Sequence, residues 1–158
     1  MADVPRLGAR GGGWVVLQFA LIAAIIGLGL IAPGWPDAAH WWLKGAGAVC
    51  VFGGALVLVL AGRALGSGFT PFPRPAEGGE LVEDGPYAIV RHPVYSGGLL
   101  VAVGISLALS PWALVGVAAL AVTWALKAAV EESFLRERYP AYGEYCSRTR
   151  HRLVPYVY

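Results

Sequence analysis

Residues 94–130 read VYSGGLLVAVGISLALSPWALVGVAALAVTWALKAAV. They form two apolar runs, 94–110 and 112–130, separated by Pro111, and Lys127 is the only formally charged side chain in either. Each run is close to the ~20 residues an α-helix needs to cross the hydrocarbon core of a bilayer. Neither alternates with the period of two that a membrane β-barrel strand requires. A break as short as Ser110-Pro111 predicts an antiparallel helical hairpin. Toward the N-terminus, two more apolar runs follow the same rule. Residues 14–31 are closed by Ala32-Pro33-Gly34, and residues 45–61 end at Gly62-Arg63. The expectation is an all-α integral membrane protein, one domain over 1–158, with transmembrane helices at 14–31, 45–61, 94–110 and 112–130.

Composition agrees. Of 158 residues, 57% are apolar and 14% charged, against roughly 25% charged in an average soluble domain. Mean hydropathy is +0.61. A water-soluble globule of this size leaves too much of its chain exposed to hide so much apolar surface. Disorder requires the opposite balance of low hydrophobicity and high net charge. A formal charge of +2 is no electrostatic footprint for nucleic acid. Arg6 and Arg10 before the first run raise the possibility of a signal peptide, but that run is longer than the about 7–15 residues of a signal core, so it is read as a retained helix.

Cations set the expected orientation. Arg6 and Arg10 precede the first helix, Arg63, Arg74 and Arg91 lie between the second and third, and Arg136, Arg138, Arg148, Arg150 and Arg152 follow the fourth. The connection between the first two helices offers only Lys44. The positive-inside rule therefore places both termini and the 63–93 loop in the cytoplasm. Small residues predict how the final hairpin closes: Gly98 and Ala102 on one helix against Ala121, Ala125 and Ala129 on the other.

Metal chemistry has no foothold. Cys50 and Cys146 form no CxxC or Cys/His pattern, and His40, His92 and His151 are far apart. Gly27-Leu28-Gly29-Leu30-Ile31-Ala32 mimics a dinucleotide fingerprint, but it lies inside an apolar helix with no preceding strand.

Two polar clusters remain on the expected cytoplasmic side. The first runs from Gly79 through Gly85-Pro86-Tyr87 to Arg91-His92-Pro93-Val94-Tyr95-Ser96-Gly97-Gly98. Pro93 suits the first turn of a helix, where its missing N–H costs nothing. Arg91 and His92 would then stand at a helix mouth that favours anions, or serve as interfacial anchors beside Tyr87 and Tyr95. The second cluster is Lys127 with Glu131-Glu132, Lys127 and Glu131 one turn apart. Two acids at the C-terminal end of a span oppose the helix dipole. The tail 136–155, with Tyr142, Tyr145, Arg148, Arg150 and Arg152, reads as a basic interfacial segment on anionic lipid.

Taken in order, Gly85-Pro86-Tyr87, Arg91-His92-Pro93-Val94-Tyr95-Ser96-Gly97, Glu131-Glu132 with Leu135, and Tyr142 with Tyr145 before Pro155 resemble the integral membrane methyltransferases that include isoprenylcysteine carboxyl methyltransferase and the phospholipid N-methyltransferases. The resemblance covers 80–155. Membrane sterol reductases share an Arg-His-Pro element but typically carry Asn where Val94 stands and an acid where Gly97-Gly98 follow. Departures from the methyltransferase pattern are Tyr139-Pro140 and Arg150-His151, where Phe-Gly and Val-Pro are usual.

The resemblance implies S-adenosyl-L-methionine as cofactor, no metal, and a pocket facing the cytoplasm. It implies cofactor contacts from Leu81, Val82, Gly85, Pro86, Tyr87, His92, Pro93, Tyr95, Glu131 and Glu132. Candidates for the chemistry are Arg91 and Lys127, to orient an anionic group, and His92 and Glu131, as base if the acceptor is an amine. The implied acceptor is an amphipathic or lipid-like molecule entering from the bilayer, methylated on a carboxylate or an amine. Two other readings stand behind it: a non-catalytic membrane protein whose loop and tail bind lipid headgroups or a partner, and, after that, a reductase of the sterol type.

Overall fold

The computed structural model describes residues 4–155 as five α-helices and two short 3-10 turns, with no strand among the described residues. In order they are α1 Gly12–Ile31, α2 Asp37–Leu65, α3 Pro93–Leu109, α4 Ala113–Arg138 and α5 Tyr142–Arg148, with the 3-10 turns at Gly66–Gly68 and Gly85–Ala88.

Prolines set several of these boundaries. Ala32, ahead of Pro33, is extended at φ −80° and ψ 160°, as a residue before proline prefers. Ser110, ahead of Pro111, is likewise extended, and Pro93 opens α3. Gly66 ends α2 at φ +51°, a conformation glycine adopts without steric cost.

Two helices outrun their apolar stretches. α2 begins at Asp37 rather than residue 45, its first-turn carboxylate suiting the helix N-terminus. α4 continues past Val130 to Arg138, with Arg136 and Arg138 in its last turn, where cations complement the dipole. Three helical segments are long and apolar enough to cross a membrane: α1, Asp37–Gly68 and α4. α3, with 17 residues, is a shorter apolar helix. Large side chains such as Val16, Phe19, Ile31, Trp42, Val49, Phe52 and Val115 are exposed on the outer faces, as lipid contact allows.

The packing departs from the expected small-residue seam. α3 packs chiefly on α2, and α1 on α4. A Cβ added to Gly54 would lie 2.6 Å from the Gly97 carbonyl oxygen, and one added to Gly104 would lie 2.5 Å from that of Gly47. Gly47 and Gly54 are two turns apart, as are Gly97 and Gly104, so the two helices run antiparallel with their backbones in near contact. Gly98 instead accommodates the Trp124 indole, and Ala121, Ala125 and Ala129 are only half-buried. The bulky ring of Trp124 keeps α3 and α4 apart where small residues were expected to join them.

The polar segments gather at one end. The N-terminal segment reaches it through Arg6, paired with Glu137. The 69–92 loop reaches it through Pro71, whose carbonyl accepts from Lys127 at 2.8 Å. The opposite end holds only short connections, fastened by Ser110 Oγ to the Pro33 carbonyl at 2.7 Å and Trp35 Nε1 to the Ser106 carbonyl at 3.2 Å.

Candidate active site

At the polar end, the 3-10 turn Gly85–Ala88 delivers Tyr87 inward, and Pro93 starts α3 so that His92 is its cap residue. His92 is buried. Its ring stacks on Tyr95 with centroids 5.4 Å apart, and Tyr95 stacks on Trp124 at 5.3 Å. The Tyr95 hydroxyl donates to Glu131 Oε2 at 2.6 Å. His92 stands between the paired acids: Nδ1 lies 3.7 Å from Glu131 Oε2, and Nε2 lies 3.4 Å from Glu132 Oε1 without hydrogen-bond alignment.

The acids divide. Glu132 is fully buried and accepts from Arg91 Nε at 2.9 Å, from Arg152 Nε and Nη2 at 3.1 and 3.0 Å, and from Arg136 Nη2 at 3.3 Å. Arg91 also donates through Nη1 to the carbonyls of Thr149 and Arg150, at 2.7 and 2.8 Å. Backbone bonds from Arg91 N to the His151 carbonyl and from His92 N to the Arg152 carbonyl, both 2.9 Å, complete a clasp between the Arg-His-Pro element and the C-terminal segment. A carboxylate removed from water in this way is sustained only by such complete pairing. Glu131 keeps 27% of its side chain exposed and faces a cleft.

That cleft is lined by Leu65, Phe69 and Thr70 at the end of α2 and beyond, Glu80, Leu81 and Val82 of the loop, and Tyr87, Arg91, His92, Val94 and Tyr95. Glu131, Leu135, Tyr142 and Tyr145 close it. Its cavity volume is about 90 Å³. It is therefore narrow. Burial is the main cause pushing the phenols of Tyr87, Tyr142 and Tyr145 above their ordinary value. Tyr145 donates to the Tyr87 carbonyl at 2.8 Å. The Tyr142 hydroxyl is buried and has no hydrogen-bond partner among the described residues.

A family model for phospholipid methyltransferase matches residues 42–142, more than half of the chain. The chain belongs to the phospholipid methyltransferase family. No curated protein matches it. The segment matched to this family of membrane methyltransferases contains most of α2, the loop, α3 and α4. It leaves out α1 and the clasping segment 149–155.

Among the residues singled out from the sequence, Leu81, Val82, Tyr87, Arg91, His92, Tyr95 and Glu131 line the cleft. Gly85, Pro86, Pro93, Lys127 and Glu132 are not among its lining residues. Pro86 and Pro93 face an apolar groove on the other side of the segment. Lys127 does not pair with Glu131. Its ammonium donates to Gln18 Oε1 at 2.5 Å and to the Pro71 carbonyl, and sits 5.2 Å from the Tyr95 ring centroid. Gln18, which also accepts from Trp124 Nε1 at 3.1 Å, was not anticipated. A polar side chain alone in an apolar run is the signal that marks it. The motif tyrosines Tyr142 and Tyr145 both line the cleft, and their three-residue spacing places them on one face of α5.

Proposed function

We propose that this chain is an S-adenosylmethionine-dependent methyltransferase that methylates the amine of an amphipathic, lipid-like acceptor. The observation that carries the reading is the charge of the cleft. Glu80 and Glu131 line it, and its only lining guanidinium or ammonium among the described residues, Arg91, is engaged by Glu132 and two carbonyls. Lys127 is held behind Tyr95 by Gln18 and Pro71. A carboxylate acceptor would meet like charge and no available cation, whereas an ammonium meets Glu131.

The same wall fits the cofactor. A carboxylate faces its cationic centres, and tyrosine faces add ~0.5–2 kcal/mol for a desolvated cation. The unpartnered Tyr142 hydroxyl and the apolar side chains of Leu81, Val82 and Leu135 suit its adenosine part. When bound, S-adenosylmethionine supplies a methyl carbon made electrophilic by its sulfonium. The residues of the chain do the rest. Glu131, fixed by Tyr95, orients the acceptor nitrogen, and His92 Nδ1 stands behind it to receive the proton the amine must lose. Alignment of this kind contributes ~7–11 kcal/mol. Pockets for small molecules hold about 300–1,000 Å³, so the narrow cleft opens on binding by outward movement of the 69–84 loop. Arg148–Glu83 and Tyr139 to the Gly79 carbonyl, both 2.5 Å, are contacts that movement breaks. In the bilayer α3 completes a four-helix membrane domain, and the polar end with both termini faces the cytoplasm.

The test is to supply the purified chain, in vesicles of mixed phospholipid, with cofactor carrying a labelled methyl group. Label in an alkali-stable headgroup amine is expected. Label released by mild alkali as from an ester, or no incorporation by folded protein, contradicts the proposal.

A further inference from the structure

On the far side of the 86–96 segment from the cleft lies a second depression, of about 450 Å³ and almost wholly apolar. Val90, Leu99, Leu100 and Val103 contribute to it, and Ile89 and Val154, 61% and 44% exposed, stand at its margin. Along α3 it extends from Pro93 to Val103, about 15 Å of helix at 1.5 Å per residue. That is about the depth of one leaflet of a ~30 Å hydrocarbon core. At the polar end it adjoins a smaller depression lined by Arg148, Thr149, Arg150 and His151, with Ile89 and Pro155 common to both. Arg148 pairs with Glu83. Arg150 is exposed, and its guanidinium makes no ion pair among the described residues.

We infer that this composite groove is a binding site for an anionic phospholipid, with an acyl chain along α3 and the phosphate on Arg150 and His151. The apolar part alone would accept any lipid. The basic rim selects by charge, because a cation at headgroup depth attracts anionic lipid. The wall of the groove is also the segment whose Thr149 and Arg150 carbonyls hold Arg91 and whose Leu153 carbonyl accepts from Ser96 Oγ. A lipid seated outside that segment packs it against α3. The site stands apart from the cleft and does not depend on the methyl-transfer reading.

The experiment is native mass spectrometry of the full chain released from nanodiscs holding equal phosphatidylglycerol and phosphatidylcholine. The chain is expected to retain phosphatidylglycerol over phosphatidylcholine by about tenfold, and Arg150→Glu to abolish the preference. Equal retention of the two lipids, or an unchanged preference in Arg150→Glu, overturns the inference. Leu100→Trp, which fills the apolar part and leaves the rim intact, is expected to lose the retained phosphatidylglycerol. Survival of the preference in that variant overturns the placement of the acyl chain. Displacement of the lipid by millimolar inorganic phosphate would show that the rim alone binds, and overturns it equally.

Discussion

An α-helix turns about 100° per residue, so the carboxylates of Glu131 and Glu132 leave α4 in different directions. Glu132 meets three guanidinium groups and no solvent; Glu131 meets Tyr95 and the cleft. Neutralising them has separable consequences. Glu132→Gln leaves buried Arg91 without its counter-charge and is expected to cost ~3–5 kcal/mol, read as a large fall in melting temperature. Glu131→Gln removes a partly exposed charge, is expected to change stability by under about 1 kcal/mol, and lowers methyl transfer at least about tenfold. Equal melting temperatures for the two variants would contradict the division. The tyrosines make a second prediction at this scale. The fold retains phenolic protons on Tyr87, Tyr142 and Tyr145 that the unfolded chain releases near pH ~10. Their contribution to stability is therefore present below that pH and lost as pH rises above it. In an alkaline absorbance titration these three phenols should ionise only as the protein unfolds; ionisation of all seven tyrosines in folded protein would contradict this.

Between elements, the closest approach is the α2–α3 seam. A side chain at Gly54 must displace backbone of the neighbouring helix, because the obstructing atom is the Gly97 carbonyl oxygen. Gly54→Leu is expected to cost at least about 1–3 kcal/mol, the usual penalty of overpacking. Gly45, on the same helix with nothing within 4 Å of an added Cβ, is the control: Gly45→Ala is expected to be neutral or to stabilise by up to about 1 kcal/mol. Thermal unfolding in one detergent measures both. Equal tolerance at the two positions would place the seam elsewhere.

Across the whole molecule, what could be read from residues alone was whatever the chain states locally. Pro33, Pro93 and Pro111 mark helix boundaries because proline restricts its own backbone and its predecessor's. The extension of α4 to Arg138 escaped because hydropathy stops at Val130, while 131–138 continue with good helix formers. The α2–α3 partnership was obscured by connectivity, since the Ser110-Pro111 turn suggested α3 and α4 as primary partners; the seven-residue glycine spacing on α2 and α3 carried the better signal. Arg91 and Lys127 looked available for substrate because their partners, the Thr149 and Arg150 carbonyls for one and Gln18 for the other, lie far away in sequence. The Arg-His-Pro element and the paired acids were legible as a set, but which acid faces the cleft depends on packing around α4.

The account rests on the aromatic, acid-lined cleft being where a methyl donor binds. Calorimetric titration of the detergent-solubilised chain with S-adenosylhomocysteine, alongside Glu131→Gln and Tyr95→Phe, measures this most directly. Saturable one-to-one binding that both substitutions weaken, with helicity unchanged, is the predicted result; no heat of binding to well-folded protein, or equal affinity in all three, would contradict it.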